Sequence, residues 1–375
     1  MSGIYIHIPF CRKACRYCDF YFSVSLHYRD EFVDRLVEEI KIKGEKALNS
    51  PLNTLYLGGG TPSVLDFSHL EKILEAINRY YSFRDNPEWT VECNPDDLDE
   101  RTLKQLKQAG FNRLSIGIQS FHERDLLLMR RSHSAQQAEA SVGLAAEAGF
   151  ENISMDLIYG IPGQTISEWE ENIERTLQLP LTHISAYHLT FEPGTVFDHW
   201  RKKGRLTPVA EEESVEKYRI LRKALLPAGF EHYELSNFAR EGRLSEHNML
   251  YWSGLPYQAF GPSAHSFDGK QRTWNISSLK AYMEGVAAGE DISESEQLSI
   301  REQYHDYLIT SLRTRRGVDP VYMEKQFGPG FSAHFKQAAQ SFMETGSMYR
   351  SGGRVVIDPD HWLITDHILR ALFMD

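Results

Sequence analysis

Cys11, Cys15 and Cys18 place three of the chain's four cysteines within eight consecutive positions. Pro9 precedes them, Tyr17 lies among them and Phe20 follows, which suits a metal-wrapping loop better than a packed element. Thiolates are soft donors that bind zinc and iron-sulfur clusters tightly. A four-iron cubane takes four thiolates in ordinary electron-transfer sites, so three leave one iron open to a substrate or cofactor. Two plainer readings compete: structural cysteines sharing one helix face, and a zinc site completed by His7. Cys-x3-Cys-x2-Cys is not a paired zinc-knuckle pattern, and the cluster is the reading the spacing favours.

Further polar candidates end apolar runs. Glu92, Gln119 and Asp156 each stand at or near the end of such a run, and Gly58-Gly59-Gly60-Thr61 follows another. A polar residue at the C-terminal end of a barrel strand points to the barrel mouth. Singly, each also reads as a helix cap or half of a buried hydrogen-bonded pair; with a cysteine loop upstream they converge.

Six units of strand then helix must position these residues. The strands are Ile4 to Ile8, Thr54 to Leu57, Trp89 to Pro95, Arg113 to Gln119, Asn152 to Tyr159 and His183 to Leu189. The helices follow at Arg29 to Leu48, from about Ser68, from about Asp99, from Ser134 and onward. Ala-Gly-Phe recurs at 109–111, 148–150 and 228–230, where glycine ends a helix and phenylalanine anchors the next turn. The pattern predicts an α/β fold, a partial (β/α)6 TIM-like barrel with its site on the C-terminal rim. Residues 1–235 form that barrel, 236–295 an aromatic and histidine-rich extension, and 296–375 a small winged-helix-like α+β domain. In the last, helical segments at 299–316, 319–327 and 332–345 precede a hairpin over Tyr349 to Ile357 and a final helix from Trp362.

A net charge of -11 argues against a dedicated nucleic-acid binder. No apolar run reaches the length of a membrane span, and His7 and Pro9 interrupt the opening segment, so no signal-peptide core is expected. A reducing cytoplasmic compartment fits crowded thiols, leaving room for peripheral contact with a membrane.

At the cysteine loop the chain resembles the radical S-adenosylmethionine (SAM) superfamily over roughly residues 4–230. The resemblance implies a four-iron four-sulfur (4Fe-4S) cluster on Cys11, Cys15 and Cys18, with SAM on the fourth iron. Tyr5-Ile6-His7-Ile8-Pro9-Phe10-Cys11, Gly59-Gly60-Thr61-Pro62, Glu92-x-Asn94-Pro95, Ile118-Gln119-Ser120-Phe121, Asp156 to Gly163 and Gly261 to Phe267 are similar to the oxygen-independent coproporphyrinogen III oxidases and their close relatives. SAM contacts are then implied for Tyr5, Tyr17, Gly59, Gly60, Thr61, Glu92, Gln119, Arg131 and Asp156. Glu92 or Asp156 can accept from ribose hydroxyls, Arg131 can pair with the SAM carboxylate, and Tyr17 can cover the adenine.

Two departures separate the chain from the true oxidases: Phe20 stands where they carry a fourth cysteine, and their N-terminal extension is missing. Both match the sister branch of radical SAM heme chaperones. So does Glu246-His247-Asn248-Met249-Leu250-Tyr251-Trp252, in which His247 with Tyr251 and Trp252 is implied to hold heme through an imidazole and apolar walls. The resemblance implies binding of heme and its delivery to respiratory cytochromes or other hemoproteins, with a flavodoxin or ferredoxin as electron donor. The alternative is an enzyme that decarboxylates porphyrinogen propionates by SAM cleavage.

Overall fold

Six strands lie side by side and parallel in chain order: β1 (Gly3–Ile8), β2 (Leu52–Gly59), β3 (Phe83–Cys93), β4 (Arg113–Gln119), β5 (Asn152–Tyr159) and β6 (His183–His188). The structure, a computed structural model, describes residues 2–45 and 50–374. The crossovers are α1 (Arg29–Gly44), α2 (Phe67–Tyr80), α3 (Glu100–Gln108), α4 (Glu123–Met129) with α5 (Ala135–Glu147), and α6 (Ile166–Leu177); α7 (Val196–Lys202) and α8 (Glu211–Leu225) follow β6. Ile4, Ile6, Ile8, Leu55, Leu57 and Ile116 are fully buried beneath these helices, as parallel strands covered by crossovers must be. This is the predicted partial (β/α)6 barrel.

Short strands lengthen both edges. β7 (Phe230–Glu234) and β8 (Asn237–Arg240) form a hairpin whose second strand runs antiparallel to β6. After α9 (Glu246–Trp252), β9 (Tyr257–Phe260) lies parallel to β1, and β10 (His265–Phe267), β11 (Gln271–Asn275) and, after α10 (Leu279–Ala288), β12 (Ser293–Gln297) continue the sheet antiparallel. A second core, built on Tyr304, Leu308, Phe335, Trp362 and Leu369, binds α11 (Ile300–Leu312), α12 (Pro320–Phe327), α13 (Pro329–Glu344), the hairpin β13 (Met348–Ser351) with β14 (Arg354–Ile357), and α14 (Thr365–Leu372). Helices followed by a hairpin give this C-terminal module its winged-helix-like order. Among the described residues no helix is long and apolar enough to cross a membrane.

Sequence signals set several boundaries. Asp99 accepts from the Thr102 N–H at 2.7 Å to start α3, and Ser134 starts α5 through a reciprocal pair with Gln137. Gly110 and Gly149 take φ of 99° and 84°, and the following N–H groups of Phe111 and Phe150 reach back to Leu106 and Ala145 at 3.2 and 3.1 Å. Those bonds are the six-to-one closure of a glycine-ended helix. Other boundaries moved. β3 begins at Phe83, ahead of the expected Trp89, because Asn86 at φ 52° and Pro87 conceal a bulge across which the pairing with β2 jumps. The seven-residue α4 lies ahead of the helical region expected from Ser134, in a stretch to which the sequence assigned no element. α1 ends at Gly44; the expected continuation to Leu48 falls on residues 46–49, outside the described residues.

Candidate functional site

The cysteine loop leaves the end of β1 and is closed at its neck. Cys11 N–H donates to Ser23 O at 3.0 Å and Ser23 N–H to Pro9 O at 2.6 Å. Two anchors hold its arc on the barrel rim. Arg12 pairs with buried Asp97 at 2.6 Å, itself bonded by Ser63 Oγ at 2.8 Å, and the Arg16 N–H donates to Met129 O at 3.1 Å. The glycine segment seals the other side: Gly60 N–H reaches Ile8 O at 2.8 Å and Thr61 N–H reaches Phe10 O at 2.7 Å.

Inside this frame Cys11, Cys15 and Cys18 line one cavity of about 570 Å3, together with Tyr17, Gly59, Gly60, Thr61, Glu92, Gln119, Arg131 and Asp156. Eight of the nine sequence-derived SAM contacts therefore meet the three cysteines. All three thiols are free, and among the described residues no three His, Cys, Asp or Glu side chains close on a point as a single metal ion requires. His7 is buried and bonded to Tyr5 OH and Tyr21 O, so the zinc reading loses its fourth ligand in this arrangement. Burial pushes the Cys11 thiol up to about 11 and the Cys18 thiol up to about 12. Only a strong positive charge such as bound iron would hold these groups as thiolates at neutral pH.

The donor set fits a cluster with a polar ligand on its open iron. Arg131 spends one terminal nitrogen on Asn94 Oδ1 and Gly117 O, both at 2.6 Å, and turns the other to Cys15 Sγ at 3.4 Å; its Nε has no partner among the described residues. Gln119 sits at φ 73° where β4 slips register against β5. A non-glycine residue in this region is strained, and the slip places Gln119 at the cavity, its Oε1 without a partner among the described residues. Such buried, unsatisfied groups ask for a ligand. Tyr17 packs beside Leu126, Met129 and Phe197, which positions its ring on the cavity wall.

Glu92 accepts from Tyr56 OH at 2.8 Å and from Gly59 N–H at 3.2 Å. Burial pushes its carboxyl up to about 7 from an ordinary 4.5 and that of Asp156 up to about 6. A carboxyl raised by folding favours the fold when protonated. As pH climbs from 4.5 the unfolded chain ionises first, so stability contributed by Glu92 is lost between about pH 4.5 and 7 and stays lost above it. Glu92→Gln should therefore melt progressively higher relative to the ligand-free parent as pH rises from about 5 to about 8; a difference independent of pH contradicts this.

Tyr5 lies one layer deeper. It lines an inner cavity of about 310 Å3 with Tyr56, Arg113, His247 and Tyr251, and Glu92 and Asp156 line both spaces. His247 is in this layer too, 1% exposed. Its Nδ1 bonds Thr54 Oγ1 at 2.7 Å and its Nε2 bonds Tyr251 OH at 2.8 Å, and burial pushes it down to about 3. Both ring nitrogens are engaged. Tyr251 reaches from the inner cavity to an outer cleft, which Trp252 also lines. The structure thus brings Tyr251 and Trp252 together at the cleft and sets His247 behind them.

Two residues of the site were missed in the sequence. Asn94 donates to Thr61 Oγ1 at 3.3 Å and accepts from Arg131; its signal was its place in Glu92-x-Asn94-Pro95. Arg113 is 2% exposed, its Nε unpartnered among the described residues and 4.0 Å from Glu88. As the first residue of a strand it gave no signal.

A partial barrel whose rim gathers three cysteines, a glycine segment and unsatisfied polar groups defines a radical SAM protein, and the profile described as the radical SAM superfamily matches residues 5–176. Within that superfamily the chain belongs to the family of heme chaperones named HemW. It is 36% identical over 375 residues to heme chaperone HemW of Bacillus subtilis, covering 99% of each chain. To that of Synechocystis it is 40% identical over 276 residues, 72% of this chain and 67% of the relative. Among solved structures, the coproporphyrinogen III oxidase HemN of Escherichia coli is similar in fold, with a TM-score of 0.86 and 22% identity over 99% of this chain and 90% of that one.

Proposed function

We propose that this chain binds a 4Fe-4S cluster, SAM and heme, and hands the heme to hemoproteins such as respiratory cytochromes in the cytoplasm. The observation that carries the reading is the convergence of Cys11, Cys15 and Cys18 with the unsatisfied groups of Gln119 and Arg131 on one cavity, in a chain similar along its length to a heme chaperone. Cys11, Cys15 and Cys18 would hold a cluster through three of its irons, leaving one iron open for SAM. The unpartnered Arg131 Nε would take the carboxylate, the Gly59-Gly60 backbone would admit the methionine portion, and Glu92 or Asp156 would accept from the ribose. Tyr17 would lie against the adenine, and Tyr5 lines the inner cavity beside Tyr56, whose hydroxyl holds Glu92. With an electron from a flavodoxin or ferredoxin, the bound cluster supplies reductive cleavage of SAM; the protein orients SAM and excludes water.

The stretch Glu246 to Trp252 supports heme binding next to this site. His247 becomes an iron ligand only if one ring nitrogen gives up its bond to Thr54 or to Tyr251. The second reading, decarboxylation of a porphyrinogen propionate, draws on the oxidase-like motifs but lacks a cysteine at Phe20, which is 66% exposed. An anaerobic titration with heme and a turnover assay on coproporphyrinogen III separate the two. The chaperone reading expects saturable binding of one heme per chain and no loss of carbon dioxide from the porphyrinogen. Turnover without specific heme binding would replace it by the enzyme reading.

A further inference from the structure

A second open feature, which the cluster site does not use, is the outer cleft of about 690 Å3 between the edge β9 to β11 with α9 on one side and the C-terminal module on the other. Aromatic side chains stand on both walls: Trp252, Tyr257 and Phe267 on the sheet side, and Tyr307, Tyr322 and Phe327 on the module side. Tyr322 is 47% exposed. Facing aromatic walls accept a flat ring, to which they offer stacking and apolar contact.

The charge in the cleft runs against that of the whole chain. Arg272, Arg316 and Arg354 line it against Asp306 and Asp319, in a protein of net charge -11. Arg272 pairs with Asp306, and Arg354 with Asp319 at 3.3 Å. Arg316 makes no ion pair among the described residues; its Nη1 bonds only Ser253 Oγ at 3.3 Å, across the cleft's floor to the end of α9. An unpaired guanidinium at the edge of an aromatic slot is the natural partner of a carboxylate, which it can meet through two parallel hydrogen bonds.

We propose that this cleft is the binding site for a planar tetrapyrrole dicarboxylate, with the ring between the two aromatic walls and a propionate on Arg316. The inference rests on the heme-binding reading above and gives it a location. It also changes how recognition works. The residues lining the cleft include no histidine, cysteine or methionine, so the ring and its carboxylates, not a nitrogen or sulfur bond to iron, supply the affinity. His247 is then a positioning residue: it holds Tyr251 at the inner wall through the 2.8 Å bond to its hydroxyl.

The test uses the full chain and three probes: heme, metal-free protoporphyrin IX, and protoporphyrin IX dimethyl ester, followed by porphyrin fluorescence and absorbance. Protoporphyrin IX should bind within about tenfold of heme, and blocking its carboxylates as the ester should weaken binding by about tenfold, the scale of one charged contact. Arg316→Gln and Arg316→Glu should weaken the free acid, the second more than the first, and leave the ester unchanged. Because the ester comparison needs no mutation, a folding defect in either variant cannot imitate it. Tight heme binding with none of the metal-free ring, or an ester that binds as well as the acid, overturns the site while leaving heme binding intact. Failure of the parent chain to bind either heme or protoporphyrin IX overturns the function and the site together.

Discussion

Cys15→Ser is expected to leave the chain with background iron and sulfide after anaerobic reconstitution, and Cys11→Ser and Cys18→Ser to do the same. A serine hydroxyl is a poor ligand for iron at neutral pH, and two remaining thiolates cannot hold a cubane that is already one ligand short. The fourth cysteine is the control. Cys93, at the end of β3, also borders the cysteine cavity, but it is 3% exposed, packs in the apolar core and spends its thiol on Val91 O at 3.8 Å, so Cys93→Ser should keep its iron. Metal analysis should find iron, not zinc, in the parent. Because the cleft shares no lining residue with the cysteine cavity, the iron-free variants should still bind protoporphyrin IX. Iron retained by Cys15→Ser, or lost from Cys93→Ser, contradicts the assignment of the triad.

Gly60→Ala should cost stability and cluster together. A Cβ at position 60 would stand 2.6 Å from Phe10 O and 2.9 Å from Ile8 O, both backbone atoms of the segment that feeds the cysteine loop. Neither can turn aside as a flexible side chain can. Relief requires moving β2 away from the loop, which breaks the bonds from Gly60 N–H to Ile8 O and from Thr61 N–H to Phe10 O. Overpacking of this kind costs about 1 to 3 kcal/mol. Thermal melting should show the loss, and reconstituted iron should fall with it because Cys11 adjoins Phe10. A variant as stable as its parent and fully loaded with iron would show that the close approach is not required.

The barrel and the placing of the cysteine loop on its rim were legible in the sequence because local signals and global fold agree there. Strand bodies are apolar, the helix starts at Asp99 and Ser134 carry their caps, and two of the Ala-Gly-Phe repeats close their helices as glycine predicts. The strand-end residues Glu92, Gln119 and Asp156 could be placed at one rim from parallel order alone. What remained hidden depends on distant partners. β9 to β12 are three to five residues long, too short for their own periodicity to declare them, and they exist because the edge of β1 offers a ladder to join. The strained turn of Gln119 follows from a register slip between two strands, which neither strand encodes alone. His247 is the clearest case: its motif marked a histidine among aromatics, and only the fold shows both nitrogens already bonded, to Thr54 and to Tyr251. Arg113, buried at the start of β4, had no local signature at all.

The proposed function requires that this chain carry heme in order to give it away. The most direct test loads the cluster-reconstituted protein with heme, removes free heme, and mixes it anaerobically with an apo-cytochrome while following the acceptor's absorption spectrum. The account predicts that the acceptor's heme spectrum grows as the donor's declines, at a rate that rises with acceptor concentration and so exceeds simple release into solution. A chain that keeps its heme in the presence of excess acceptor, or gives it up only at the rate at which heme dissociates unaided, would contradict it.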